Sequence, residues 1–246
     1  MRAYSVVYAT TEFVAWQIRL FHKYLPSLSE FVVVNNGPNH GAIERECSSL
    51  GVRCLCVPSS SFTNPSESHA NAINHALRVE IADSGEDSLL CDMDIFPIEP
   101  TRFEAESDLA GVLQVREAVV RFMMPRVKRT VRYRWPGLLW LRRNLAGLRG
   151  VDFQPQVIGG VRCDTGGQLG KYAESNALRV QWLSERYVTR SDMPADCRSI
   201  FRAKFGWKIV NGSWLHYLSG SNWRNHSRKY EEQKAMALLE WLGRIG

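Results

Sequence analysis

The stretch LLCDMDIFP, residues 89–97, contains the strongest pattern in the chain: an apolar segment leads directly into two aspartates, Asp92 and Asp94, one residue apart. In an extended chain, residues i and i+2 share a face, so both carboxylates can point to one place. Two carboxylates held together repel each other unless a cation or a proton intervenes. A hard divalent ion, Mn²⁺ or Mg²⁺, would supply that charge and could bridge a diphosphate. The alternative is a strand end with two solvated aspartates, but the apolar strand before them favours a functional pair.

Upstream of this stretch, strand and helix signals alternate. The predicted strands lie at residues 4–9, 31–34, 52–57 and 88–91, and helices fill the intervals, the last of them over residues 66–82. Thr11 is expected to cap the first helix. Strands separated by helices of this length predict parallel βαβ units, and therefore an α/β fold with a mostly parallel central sheet flanked by helices. Ligands of such sheets collect at the carboxyl ends of the strands, where Thr10, Asn36 and Asp92 fall.

The second half of the chain is less regular. Helices are predicted from residue 171 to about 186 and from 227 to 242. The six cysteines show no zinc-type CxxC pairs, and a reducing, cytoplasmic setting fits them best. No apolar run is long enough to span a membrane, and no signal peptide is expected. One continuous domain over residues 1–246 is the simplest organisation.

Charge is divided unevenly between the two halves. Residues 1–115 carry 7 Lys/Arg against 15 Asp/Glu, whereas residues 116–246 carry 24 against 10. Most of the positive excess lies between residues 116 and 149, interleaved with aromatic residues. Such a stretch can bind nucleic acid, anionic lipid or phosphorylated substrates, or it can be an ordinary solvated face.

The segment CDMD-IFPI after an apolar strand resembles the D-x-D element of the GT-A glycosyltransferases, which move a sugar from a nucleotide diphosphate donor to an acceptor. The resemblance implies a Rossmann-like GT-A fold and a metal-dependent glycosyltransferase that uses Mn²⁺ or Mg²⁺. It implies that Asp94 binds the metal directly and that Asp92 contacts the donor ribose or a metal-bound water. Uridine is the expected base, although Asn35 and Asn36 stand where many relatives use an aspartate for the nucleobase.

Further residues match this family in order along the chain. The helix before the D-x-D strand begins with small and polar residues, which are expected to face the donor or simply to form a polar helix start: Ser68, His69 and Asn71. A late histidine, His216, is expected to complete the metal site through its neutral imidazole. The residues after it are expected to bind the phosphates through backbone or charge: Gly220, Ser221, Arg224 and Lys229. Thr10 and Thr11 are expected to contact the donor from the end of the first strand.

The acceptor side is predicted from two shorter motifs. In Asp164-Thr165-Gly166-Gly167, Asp164 is the candidate base that takes the proton from the attacking hydroxyl, and Thr165 and Gly166 are expected beside the acceptor. A purely structural turn, with Asp164 or Thr165 capping the next helix, is the alternative. Trp135 in WPGLLW is expected either to stack on a sugar ring or to lie in the core. Whether the anomeric configuration is inverted or retained is left open.

The resemblance covers most of the chain and divides it into a nucleotide-sugar half, residues 1–100, and an acceptor half, residues 101–246. The expected acceptor is a glycan or a lipid-linked molecule, and no nucleic acid partner is expected. A nucleotidyltransferase is the main enzymatic alternative, but residues 10–13 (TTEF) lack the glycine- and basic-rich loop it would carry after the first strand. Dehydrogenases and methyltransferases are disfavoured because that position also lacks their glycine-rich turn. A non-catalytic polyanion- or membrane-binding module built on residues 116–149 remains open, as does an enzyme whose basic stretch contacts the inner face of a membrane.

Overall fold

A computed structural model describes residues 1–8, 11–38, 40–58, 64–121, 126–218 and 227–246. The strands, in chain order, are β1 (Arg2–Val7), β2 (Glu30–Asn35), β3 (Arg53–Cys56), β4 (Ser88–Asp92), β5 (Ile95–Pro97), β6 (Leu109–Arg121), β7 (Arg126–Leu141), β8 (Gln156–Ile158), β9 (Val161–Cys163), β10 (Val180–Leu183), β11 (Glu185–Tyr187), β12 (Lys208–Val210) and β13 (Trp214–His216). The α-helices are α1 (Val14–Tyr24), α2 (His40–Ser49), α3 (Pro65–Val79), α4 (Leu169–Ser175) and α5 (Arg228–Ile245).

The central sheet has seven strands in the order β10-β6-β7-β4-β1-β2-β3. Only β7 runs against the other strands of this sheet, since it pairs antiparallel with both β6 and β4. The predicted α/β fold with a mostly parallel sheet is therefore confirmed, as are the first four predicted strands to within two residues at each end. A second, four-stranded antiparallel sheet is ordered β11-β12-β13-β5, and β8 pairs with β9.

Both faces of the central sheet are buried, as near-continuous apolar strands of a parallel sheet require. Along β2, Phe31 and Val33 belong to one core cluster while Val32 and Val34 belong to the other. The first cluster includes residues of α1, α5 and the four-stranded sheet, and the second includes the apolar face of α3. Because both faces are covered, the carboxyl ends of the parallel strands are where polar side chains can reach solvent and a ligand.

The start of α1 differs from the prediction. The residue that caps this helix is Phe13, which offers no side-chain hydrogen bond, and Thr11 contributes only its carbonyl oxygen, which accepts from the amide of Val14. The expected Thr11 cap is therefore wrong. Phe13 is buried and packs edge-on against Phe96 and Tyr217, at centroid distances of 5.7 and 5.2 Å. Apolar packing fixes this helix start, and no side-chain cap replaces Thr11.

The helix predicted over residues 171–186 is also wrong. Helix α4 ends at Ser175, and Ala177 has a left-handed φ of 49°. The chain then forms β10, which pairs in parallel with residues Leu109–Val112 of β6. Without β10, the edge of β6 would carry unpaired backbone N–H and C=O groups. The gain from pairing them outweighs the helical pattern of the sequence. The helix predicted over residues 227–242 is confirmed as α5, with the side chain of Ser227 capping it.

Strands β6 and β7 form a long hairpin that the sequence did not indicate. Strand β10 covers β6 only at residues 109–112, and β4 covers β7 only at residues 138–141. Residues 113–121 and 126–134 pair only with each other in this sheet and form a two-stranded extension, called here the basic ribbon. Much of the predicted basic stretch lies in this ribbon.

All six cysteines carry free thiols. Within the described ranges, no helix combines the length and apolar character that crossing a bilayer demands.

Candidate active site

The turn between β4 and β5 carries both aspartates of the D-x-D motif. It is held from inside by Gln17 of α1, which is fully buried and donates from Nε2 to the carbonyl oxygens of Asp92 (2.9 Å) and Ile95 (2.8 Å). The hydroxyl of Ser5 donates to Gln17 Oε1 over 2.6 Å and fixes the orientation of that amide. A neutral side chain in the core thus closes the backbone of the turn and sets the direction of its carboxylates.

A cavity of about 450 Å³ opens above this turn, at the carboxyl ends of β1, β2 and β4. Nine of the residues predicted for the site line it, from both halves of the chain: Asn36, Ser68, His69, Asp92, Asp94, Trp135, Asp164, Thr165 and His216. Residues more than a hundred positions apart in sequence therefore meet at the edge of the sheet where ligands of α/β folds bind.

Other predicted residues are not among those that line the cavity. Thr11 lies in the turn before α1, Asn71 lies on α3, and Lys229 is exposed in the first turn of α5. Gly166 has a φ of 91°, and a Cβ there would collide with the carbonyl oxygen of Arg134, so close packing explains this glycine. Thr10, Gly220, Ser221 and Arg224 lie outside the described residues.

His216 reaches the D-x-D turn because β13 pairs with β5, placing His216 opposite Ile95. Its Nε2 lies 3.8 Å from Asp94 Oδ1, and both residues are buried. Burial lowers the pKa of His216, and this effect exceeds the opposing influence of Asp94, Asp92 and Glu185. The imidazole is therefore neutral near pH 7, the form in which histidine binds a metal ion.

The described residues contain no group of three or more His, Cys, Asp or Glu side chains placed to hold a metal ion. What they contain is a pair: one carboxylate oxygen and one imidazole nitrogen, 3.8 Å apart. One divalent ion with ligand bonds of about 2.0–2.2 Å can contact both atoms. The carboxylate is a ligand type that suits Mn²⁺ or Mg²⁺, the imidazole one that suits transition metals, and water and phosphate oxygens would fill the remaining positions.

Glu185 on β11 is a third member of this region that the sequence did not indicate. Its Oε1 lies 4.0 Å from Nδ1 of His216, and neither of these buried atoms has a hydrogen-bond partner among the described residues. The other carboxylate oxygen pairs with Lys208 Nζ at 2.6 Å. Glu185 therefore stands beside the ring nitrogen of His216 that points away from Asp94, at a distance too long for a hydrogen bond.

His69 and Asp92 form a close ion pair, with 2.6 Å between Nε2 and Oδ1. Burial alone would lower the pKa of His69, but Asp92, Asp164 and Asp94 together hold it above the ordinary imidazole value. Burial would likewise raise the pKa of Asp92, but His69 and His216 hold it below the ordinary range. The first aspartate of the motif is thus neutralised by a histidine of α3, while the second faces His216.

Asp164 also lines the cavity, where its Oδ2 pairs with Arg116 at 3.2 Å. Arg116 in turn donates from Nε to the hydroxyl of Tyr133 at 3.4 Å. The predicted capping role of Asp164 or Thr165 is wrong, because α4 begins after Gln168 without any side-chain cap. Thr165 instead donates to the carbonyl oxygen of Ser66, which ties this turn to the start of α3.

Trp135 is partly buried and stacks on the imidazole of His216, with ring centroids 4.6 Å apart and an interplanar angle of 23°. The predicted alternatives were a sugar platform or a core residue. The indole face on His216 is not available to a sugar, and its remaining surface lines the cavity.

Lys234 of α5 is a further residue that sequence reasoning missed. It is buried, donates to the carbonyl oxygen of Leu218, and lies 4.1 Å from the centroid of Tyr217. It therefore anchors α5 to the segment that follows His216. Of the missed residues, Gln17 had a detectable signal, since it interrupts the apolar face formed by Phe13, Val14, Leu20 and Phe21.

No protein-family model matches the chain, and no curated protein matches its sequence. Among solved structures, it is similar to a galactosyltransferase in complex with donor and acceptor sugar analogues (11% identity, 100% of this chain and 96% of that chain, TM-score 0.48). It is also similar to a nucleoside-diphosphate-sugar pyrophosphorylase from Vibrio cholerae (12% identity, 74% and 91%, TM-score 0.43). A third is glucosyl-3-phosphoglycerate synthase from Mycobacterium tuberculosis, in complex with Mn²⁺ and UDP (16% identity, 45% and 43%, TM-score 0.30). Similarities this distant assign neither a family nor an activity.

Proposed function

We propose that the chain is a metal-dependent glycosyltransferase that moves a sugar from a nucleotide diphosphate donor, with a UDP-sugar favoured, to a glycan or lipid-linked acceptor. The observation that carries the proposal is the meeting of Asp94 and His216, 3.8 Å apart, at the carboxyl edge of a parallel sheet. A cavity with this ligand pair on one wall and a carboxylate, Asp164, on another suits transfer between a phosphate-bearing donor and a hydroxyl acceptor.

In this proposal Asp94 and His216 hold Mn²⁺ or Mg²⁺, which when bound offsets the negative charge on a departing diphosphate. Asn36 and Ser68 face the donor as a linked pair, because the Asn36 amide donates to both the hydroxyl and the carbonyl oxygen of Ser68. His69 keeps Asp92 oriented toward the cavity. The roles of Thr10, Thr11, Asn71, Gly220, Ser221, Arg224 and Lys229 in binding the donor stay predictions.

Transfer requires one bond to form and one to break at the anomeric carbon. The acceptor hydroxyl oxygen bonds to that carbon, the bond to the diphosphate oxygen breaks, and the diphosphate keeps the electron pair. The hydroxyl proton passes to the carboxylate of Asp164, which Arg116 holds at the cavity wall. Attack from the face opposite the diphosphate inverts the anomeric carbon, and the anomer of the product distinguishes this course from a retaining one.

The test is thermal unfolding with uridine and guanosine diphosphates, each with and without Mn²⁺. A ligand that binds only the folded state raises its stability by mass action. We expect stabilisation by uridine diphosphate that requires Mn²⁺ and disappears in Asp94→Ala. If neither nucleotide stabilises the protein in the presence of Mn²⁺, the proposal is wrong.

A second assay separates the glycosyltransferase from a nucleotidyltransferase. The protein is incubated with Mn²⁺ and either a UDP-sugar or a nucleoside triphosphate with a sugar 1-phosphate. Release of nucleoside diphosphate from the first mixture supports glycosyl transfer, whereas release of pyrophosphate from the second supports nucleotidyl transfer. A cytoplasmic location and the organisation of residues 1–246 as one domain also stay predictions.

A further inference from the structure

The basic ribbon has two faces with different surroundings. In an antiparallel pair, residues opposite each other lie on the same face, and successive pairs alternate between the faces. On one face, Gln114, Arg116 and Tyr133 line the cavity, and Arg129 further out donates to the carbonyl oxygen of Gly159 beside β8. The alternate pairs, Val115 with Arg132, Glu117 with Thr130 and Val119 with Lys128, form the second face, called here the outer face.

The outer face is open to solvent and mixes apolar with cationic side chains. All six of its residues are exposed, and the exposed fraction reaches 50% for Val115 and 62% for Val119. Each of these valines lies opposite a cation, Arg132 or Lys128. The two valines therefore add apolar surface to a solvent-exposed face that also carries cations.

The charge of the ribbon restricts what can cover it. Residues 114–134 contain seven Lys/Arg and one acidic residue. Of the six outer-face residues, Arg132 and Lys128 are cations and Glu117, which pairs with Lys128 at 2.8 Å, is the acid, so this face keeps a net positive charge. The chain as a whole is polarised in the same sense, since residues 1–115 carry an acidic excess and residues 116–246 a basic one. A partner that complements this face must be anionic and must also accept apolar side chains.

An aromatic residue extends the same surface toward the central sheet. Arg134, which follows Arg132 on the outer face by the alternation of β7, lies over the ring of Trp182 at 4.6 Å from the centroid. The Trp182 ring is itself 47% exposed on the edge strand β10. Arg134 itself is buried, so Trp182 is the member of this pair that is open to solvent, and an indole suits the headgroup region of a bilayer.

We propose that the outer face of the basic ribbon docks on the surface of an anionic lipid bilayer, with Lys128 and Arg132 on the headgroups and Val115 and Val119 against the acyl boundary. Clustered cations beside apolar side chains are the combination that binds anionic membranes, because the two contributions add. The opposite face of the same ribbon lines the cavity, so docking places the cavity within the thickness of one two-stranded ribbon of the bilayer surface. A lipid-linked acceptor would then reach the site from the membrane, a consequence that rests on the proposed function.

The test measures binding of the full chain to vesicles by flotation, with phosphatidylcholine vesicles compared to vesicles that also contain phosphatidylglycerol. We expect binding only to the anionic vesicles, weakening as ionic strength rises. The double variant Lys128→Gln, Arg132→Gln should bind roughly 30-fold more weakly, since each basic residue at such a surface contributes about fivefold in affinity. Val115→Ser, Val119→Ser should bind several-fold more weakly while its salt dependence is unchanged.

The matched control is Arg45→Gln, Arg78→Gln, which removes the same two positive charges from exposed positions on α2 and α3. It should bind anionic vesicles as the unaltered chain does. Equal loss in both double variants would mean that net charge alone causes binding, which would overturn the proposal. So would the absence of binding to anionic vesicles. Single-stranded RNA that binds through Lys128 and Arg132 and displaces the vesicles would assign the face to nucleic acid instead.

Docking and catalysis fail separately in this design. Asp94→Ala should bind anionic vesicles normally, because Asp94 lies in the cavity and not on the outer face. The Lys128→Gln, Arg132→Gln variant should keep its stabilisation by nucleotide and Mn²⁺. Vesicle binding without nucleotide binding would support the docking surface and contradict the proposed glycosyltransferase. Nucleotide binding without vesicle binding would support the glycosyltransferase and contradict the docking surface.

Discussion

The side-chain amide of Gln17 donates a hydrogen bond to the backbone carbonyl oxygen of Asp92, the first aspartate of the D-x-D motif, over 2.9 Å. A second hydrogen bond to Ile95 O makes this amide the internal support of the whole turn. Replacing Gln17 by Leu should lower the free energy of unfolding by about 2–5 kcal/mol, because two buried carbonyl oxygens lose their donors. Denaturant unfolding measures the loss.

The control for Gln17 is Ser5→Ala, which removes only the hydrogen bond onto Oε1 and should cost about 1 kcal/mol. The Gln17→Leu variant should also lose much of its Mn²⁺-dependent stabilisation by nucleotide, whereas Ser5→Ala keeps most of it. A Gln17→Leu protein that unfolds and binds nucleotide like the unaltered chain would show that the turn does not depend on Gln17.

The absence of a side chain at Gly137 leaves room for the Trp135 ring that stacks on His216. A Cβ added at Gly137 would collide with the Trp135 ring, although the backbone there is not in the left-handed region. Gly137→Ala should therefore push the indole away from the imidazole, at a cost of about 1–3 kcal/mol from overpacking. The ligand pair loses one of its supports, so Mn²⁺ should stabilise the variant less. Thermal unfolding with and without Mn²⁺ measures both effects.

Gly150→Ala is the matched control for Gly137→Ala, because a Cβ at Gly150 meets no atom within 4 Å. It should change neither stability nor the response to Mn²⁺ appreciably. If Gly137→Ala responds to Mn²⁺ like this control, then the Trp135 stack does not hold His216 in its binding position.

The D-x-D turn and His216 illustrate what the sequence could reveal. Asp92 and Asp94 follow an apolar strand, and local periodicity places that strand in a parallel sheet, so the fold class was predictable and nine predicted residues line one cavity. Gln17 and Glu185 could not be assigned to the site from the sequence, because both act through contacts between distant elements. Contacts between distant segments produce no local pattern in the sequence. Gln17 alone had a local signal, because it interrupts an apolar helix face.

The helix predicted over residues 171–186 and the missed basic ribbon have different physical causes. Residues 180–183 lie on the edge of the sheet because β6 needs a partner there, and the requirement arises from β6 and not from residues 180–183 themselves. The basic ribbon was missed because cations alternate with valines on both of its faces, which gives no clear inward and outward pattern.

Asp192 stabilises the segment that follows β11, the strand that carries Glu185. Both of its carboxylate oxygens lie 2.7 Å from nitrogens of Arg186, and the amide of Thr189 also donates to it. The hydrogen bonds from Arg186 hold the pKa of Asp192 well below the ordinary carboxylate range, although partial burial acts in the opposite sense. A carboxyl group with a lowered pKa in the folded state stabilises the fold above its unfolded pKa of about 3.9 and loses that effect as the pH falls.

Asp192→Asn should therefore be less stable than the unaltered chain by about 1–2 kcal/mol at pH 7, and the difference should shrink as the pH falls below about 4. Denaturant unfolding at a series of pH values measures it. Asp196→Asn, which breaks the exposed pair with Arg244, should cost less than about 1 kcal/mol. A difference between Asp192→Asn and the unaltered chain that grows toward acid pH would contradict the assignment.

Asp164 offers the sharpest separation between binding and chemistry, because it shares the cavity with Asp94 and His216 but is paired with Arg116 on another wall. If it accepts the acceptor proton, Asp164→Asn should lower the transfer rate about 10²–10⁴-fold. Stabilisation by nucleotide and Mn²⁺ should stay unchanged, since the ligand pair is intact. Glu67→Gln, which removes a neighbouring carboxylate paired with Arg162 at 3.8 Å, controls for lost charge and should leave the rate within a few-fold. If Asp164→Asn transfers sugar at the original rate, then Asp164 is not the base. Either another group accepts the proton, or the reaction follows the retaining course, which requires no carboxylate at this position.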